Sequence, residues 1–142
     1  MGSRFDATSG TIPTQTLAVR GGLAVVVSLL VNLAILAAVL SSGIVEPFDA
    51  LSVPPVALLT VLGAIGATIV YGAITRRSDA PDRTFVVVAA AVLVLSFAPD
   101  LALLEYDADA TVPAVIVLMI MHVAVAAACV WALTDRYSPI AR

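Results

Sequence analysis

The chain has 142 residues, 61% of them hydrophobic and only 12% charged, with a formal net charge of −3 and a mean hydropathy of +1.10. Soluble domains run near a quarter charged, and a soluble globule this poor in charge could not cover its own surface. The composition excludes disordered and collagen-like chains, disulfide scaffolds and basic nucleic-acid binders, which leaves an integral membrane protein with no nucleic-acid partner.

Residues 1–16 read as a polar tail on the cytoplasmic side, without the apolar core that opens a cleavable signal peptide. Four apolar stretches follow, each long enough for the roughly 20 helical residues that a hydrocarbon core requires. The first, Gly21 to Gly43, is preceded by Arg20. It is too long for a signal h-region, so it reads as a retained anchor, with cleavage near Ser41 or Ser42 as the alternative. The second, Pro54 to Thr75, opens on two prolines where a missing N–H costs nothing. The run Arg76-Arg77-Ser78-Asp79-Ala80-Pro81-Asp82-Arg83 separates it from the third, Thr84 to Leu104. The acidic stretch Glu105 to Thr111 precedes the fourth, Val112 to Thr134. Connections this short join antiparallel neighbours, so the expected fold class is an all-α membrane protein, a single up-down-up-down four-helix bundle over residues 1–142.

The seven basic residues are all Arg: Arg4, Arg20, Arg76, Arg77, Arg83, Arg136 and Arg142. In that topology all of them fall on the side shared by the termini and the 76–83 loop. Because cytoplasmic loops retain positive charge, a multi-pass protein of the cell membrane with both termini cytoplasmic is expected. Tyr71, Phe85, Trp131 and Tyr137 lie near the inner ends of the spans, where amphipathic rings prefer the headgroup level. The lack of Lys and the eight Asp among ten acids suggest a salt-adapted, GC-rich prokaryote such as a halophilic archaeon, although coding bias alone also enriches Ala, Val and Arg.

Polar side chains at mid-depth in lipid are the places to look for function. Counting about 1.5 Å of rise per residue, Asn32, Ser96 and His122 lie near one midplane on three helices, and Asp100 lies one turn beyond Ser96. Pro99 removes a backbone bond to the Leu95 carbonyl and is expected to kink its helix. Two readings follow for the candidate cluster Asn32, Ser96, Asp100 and His122. In one, Asp100 and His122 form a titrating pair; in the other, Asn32, Ser96 and His122 bond one another to fix helix register. Small residues mark helix contacts: Thr60, Gly63, Ala64 and Ala67 along span two, and Ala124, Ala128 and Ala132 along span four. With His122 inward, the alanine ridge points outward and suits a partner helix or a second copy.

One histidine and one cysteine, Cys129, fall short of a zinc or bis-histidine haem site, so no cofactor and no metal are expected. Glu105-Tyr106-Asp107-Ala108-Asp109 lacks the turn glycine and closing Glu of a calcium loop and reads as a solvated rim. No Ser-His-Asp set, phosphate loop or HExxH helix occurs, hence no catalytic residue.

The run Val92-Leu93-Val94-Leu95-Ser96-Phe97-Ala98-Pro99-Asp100 and the run Leu118-Met119-Ile120-Met121-His122-Val123-Ala124-Val125-Ala126 resemble the "vLxLSxxxPl" and "xLxxMHxxVA" patterns of small prokaryotic four-helix membrane proteins, domain-of-unknown-function family 6069. The resemblance covers the whole chain in span layout and rests on Ser96, Pro99, Met121 and His122. It implies a four-span fold and supplies no activity. Asp100 departs from the apolar residue common at that place, so acid–histidine chemistry would belong to this chain rather than to the family. The expected function is that of a non-enzymatic structural or accessory subunit that self-associates or joins a larger membrane complex. The alternative is a small transporter, channel or proton-coupled sensor.

Overall fold

The computed structural model describes residues 11–46 and 48–140. Four long helices account for most of them: α1 Thr14–Ser42, α2 Val53–Ile74, α3 Pro81–Tyr106 and α4 Val112–Leu133. All four are long and apolar enough to cross a membrane. The described residues contain no strand, as expected where lipid leaves backbone groups no partner outside a helix or closed barrel. α2, α3 and α4 start within three residues of their expected positions. α1 starts at Thr14, so the last residues of the expected polar tail are already helical; residues 1–10 lie outside the described residues.

Local chemistry explains the ends. Proline occupies the first turn of α2, α3 and α4, where it forfeits no intrahelical bond. The Thr111 side chain caps α4 by accepting from the Ala114 N–H. Gly43, at φ +69°, ends α1 in the left-handed conformation that a side chain would strain. Hydroxyls bond back to carbonyls of the last turns: Ser41 and Ser42 donate to Ala38 and Val39, Thr75 to Gly72, and Thr134 to Val130.

α1 packs along α2 and α4, while α3 lies chiefly on α4 and touches α2. α1 and α2 approach closely because two glycines leave room. A Cβ on Gly21 would stand 2.6 Å from Thr68 Cγ2, and one on Gly72 would stand 2.6 Å from Leu17 Cδ2. Gly63, expected in that role, is exposed, and a Cβ there would meet only Val125 Cγ1, at 3.9 Å; Ala67 packs partly buried beside the core. The alanine ridge of α4 also differs from expectation. Ala128 and Ala132 are buried and Ala132 belongs to a core cluster, so the ridge faces the protein interior. The rotation of one helix about its own axis is set by its neighbours, which its periodicity alone does not report.

Two apolar clusters form the core. One gathers Leu36, Val56, Leu118 and Met121 with Val45, Phe48 and Leu51. The connection between α1 and α2 therefore folds over the bundle end, through a 3-10 turn at Asp49–Leu51. The other cluster contains Ala24, Ala64, Tyr71, Phe85 and Leu133. Tyr71 and Phe85, expected as headgroup-level rings, are fully buried. They meet edge to face at 5.1 Å and 68°, a favoured aromatic geometry. Trp131 and Tyr137 are exposed.

Candidate functional site

The polar residues of the spans separate into two groups that do not meet. Asn32, on α1, is buried, and its Nδ2 donates to Thr60 Oγ1 on α2 at 2.8 Å. Its Oδ1 is buried without a hydrogen-bond partner. One turn earlier, Ser28 is fully buried, and its hydroxyl meets only the weakly accepting Cys129 thiol. Ser96 is half-buried on α3 and donates to its own helix, at the Leu93 carbonyl, 2.7 Å away. The expected three-helix contact of Asn32, Ser96 and His122 is therefore absent: each hydroxyl or amide has found a nearer acceptor. α3 runs continuously through Pro99.

Asp100 and His122 do come together. Asp100 is one of only two buried residues of α3, six residues before its end at Tyr106, or about 9 Å of rise. His122 lies ten residues into α4, about 15 Å along it. Its Nδ1 stands 3.1 Å from Asp100 Oδ2 and 2.9 Å from the Leu118 carbonyl one turn back. The ring N–H is aligned with Leu118, and Asp100 Oδ2 is buried without a hydrogen bond. This geometry admits two proton arrangements. With a proton on Nδ1, the ring donates to Leu118 beside the carboxyl group. With Nδ1 bare, a protonated Asp100 donates to it instead. A small ring rotation interconverts them, and the His122 side chain is 37% exposed, so the ring has room to move.

The opposite end carries a second polar assembly. Arg20, inside α1 rather than ahead of it, is 2% exposed. Its Nη1 donates to the Leu133 carbonyl at 3.0 Å and to Asp135 Oδ1 at 2.6 Å, and its Nε and Nη2 both donate to the Ile140 carbonyl. Asp82, in the first turn of α3, accepts from the Tyr71 hydroxyl at 2.8 Å and from the backbone N–H groups of Asp135 and Arg136. Arg20 and Asp82 thus anchor the segment after α4 to α1, α2 and α3. Beside them lies an open groove of about 1180 Å³, bordered by Arg76, Arg77, Arg83 and Arg136. The roles of Arg20 and Asp82 had no local signal, because every partner lies on another helix or beyond one; Thr60, expected as a small residue at a helix contact, also accepts the Asn32 amide.

At the acidic end, Asp107 Oδ1 accepts from the Asp109 N–H in a local turn. No group of three or more His, Cys, Asp or Glu side chains able to hold a metal occurs among the described residues. No curated protein and no solved structure matches the chain. One family model does, over residues 12–139, taking in all four helices from before α1 to beyond α4. The chain belongs to DUF6069, a family of unknown function.

Proposed function

We propose that this small membrane protein is a proton-responsive sensor whose working element is the Asp100–His122 pair. The observation that carries the reading is a buried carboxylate oxygen without a hydrogen bond, 3.1 Å from an imidazole nitrogen that is committed to a backbone carbonyl. Ionisable groups at this depth are costly and mark function by default. A relay across the membrane needs titratable groups at several depths, yet between Asp82 and Asp100 no span carries a carboxylate or imidazole apart from His122. Local proton occupancy that resets α3 against α4 fits this distribution better than a through-path. The reading includes an up-down-up-down bundle in the cell membrane with both termini cytoplasmic. The arginines at 76, 77, 83 and 136 around one groove support that orientation.

The test is the pH titration of the His122 ring resonances in the full chain, with a distance probe between α3 and α4. A protonation transition of the ring that is accompanied by a change in that distance, and is displaced or abolished in Asp100→Asn, is the expected result. A ring that titrates identically in wild type and D100N, with no α3–α4 response, overturns it.

A second reading, an accessory subunit that self-associates or packs on a partner membrane protein, draws on α3, of which only Phe85 and Asp100 are buried. Cysteine crosslinking at Val94 and Leu95, both exposed, would join two copies on that reading and leave monomers on the first.

A further inference from the structure

We infer that the arginine-rich end holds one anionic glycerophospholipid, its phosphate on Arg76 and Arg77 and one acyl chain laid in a groove between α1 and α2. The groove is about 280 Å³ and is lined by Gly21, Gly22 and Val25 on one side and Ile65, Thr68 and Ile69 on the other. Successive glycines create it. Gly21 admits Thr68 to the helix contact, whereas a Cβ on Gly22 would meet nothing within 4 Å, so Gly22 leaves an outward notch. Ile65 and Ile69 are exposed along its edge.

Arg76 lies seven residues beyond Ile69 and eleven beyond Ile65, just past the end of α2, where its N–H bonds the Ala73 carbonyl; it stands on about the same side of the helix and about 10 Å further along. Thr75 between them keeps helical angles, so that face continues to the rim. A glycerol unit and the first acyl methylenes span such a distance. The charge at the rim is unbalanced in the sense an anion needs. Asp82 is occupied by Tyr71 and two backbone N–H groups, and Asp135 is bonded to Arg20. Among the described residues Arg76, Arg77 and Arg83 enter no ion pair. Asp79 and Asp82, which keeps its charge because its donors are neutral, then stand against the four guanidinium groups of Arg76, Arg77, Arg83 and Arg136. Guanidinium forks match phosphate oxygens in pairs, and basic residues beside the bilayer draw anionic headgroups. The apolar groove gives the same ligand a second attachment that free phosphate lacks.

The experiment measures lipid retention by native mass spectrometry, and thermal stabilisation, of the full chain in detergent. The probes are phosphatidylglycerol, phosphatidylcholine and inorganic phosphate. Phosphatidylglycerol should be retained in preference to phosphatidylcholine, and R76Q/R77Q should weaken its binding roughly tenfold or more. Gly22→Leu, which fills the notch, should weaken it with the rim intact; Ile69→Gln, at an exposed position, probes the groove if G22L does not fold. Equal retention of the two lipids, displacement of phosphatidylglycerol by inorganic phosphate at equal concentration, or indifference to the groove substitutions overturns the inference.

Discussion

At the arginine-rich end, Arg20 and Asp82 use nearly all their hydrogen-bonding capacity: Arg20 serves three acceptor groups and Asp82 accepts from three donors. In the apolar interior, Asn32 and Asp100 each keep a buried oxygen without a hydrogen bond. The difference separates two uses of scarce polarity. A saturated network has one low-energy arrangement and contributes stability, and removing a member leaves buried groups unpaired. A half-satisfied group contributes little and keeps alternative arrangements close in energy, which is what a two-state element needs.

The largest expected effect therefore lies at the rim. Arg20→Gln removes the charge that holds Asp135 and leaves the Leu133 and Ile140 carbonyls with fewer donors. Breaking one member of a buried charged assembly costs about 3 kcal/mol or more. A detergent unfolding titration should show a loss of that order, and proteolysis should release the segment after α4. A loss below about 1 kcal/mol, within the range of an exposed pair, would place Arg20 with ordinary surface charges and erase the contrast.

Next comes the close approach of α1 and α2. In Gly21→Ala the new methyl meets Thr68 Cγ2 at 2.6 Å and Oγ1 at 2.9 Å. Thr68 cannot swing aside freely, because its hydroxyl is bonded to the Ala64 carbonyl at 2.8 Å. Overpacking of this kind costs about 1–3 kcal/mol, and better helix propensity returns at most about 1 kcal/mol. Net destabilisation is expected, and Thr68→Ala in the same chain should restore most of it. Failure of that rescue would show that the glycine serves something other than packing.

The half-satisfied pairs are expected to respond weakly. Intramembrane hydrogen bonds average about 0.6 kcal/mol, so Asn32→Leu and Thr60→Val should each cost about that much or be neutral. The double variant should cost no more than either single one, because both remove the same 2.8 Å bond. Additive losses above about 1 kcal/mol would move this pair into the class of the rim.

What was legible in the sequence follows the same division. Span positions rest on hydropathy summed over twenty or so residues, a signal that neighbours do not alter, and α2 and α4 begin within one residue of where it puts them. The nearness of Asp100 and His122 follows from depth arithmetic along two adjacent helices. The rim was hidden because Arg20 bonds residues 113 to 120 positions away. The inward turn of Ala128 and Ala132, and the burial of Tyr71 and Phe85, depend on how each helix is rotated against the others.

Ser96 offers the smallest effect and the finest discrimination. It shares a helical face with Asp100 and is half-buried, yet its hydroxyl donates to the Leu93 carbonyl within α3. A hydroxyl bonded back to its own helix adds nothing between helices and slightly strains the one it sits on. Ser96→Ala should therefore leave stability within about 0.5 kcal/mol of wild type, and the His122 titration in the same place. If S96A instead displaces that titration, the serine must reach the acid–histidine pair in a state where α3 has turned. The proposed proton-responsive element would then extend one turn further along α3 than the Asp100–His122 contact alone.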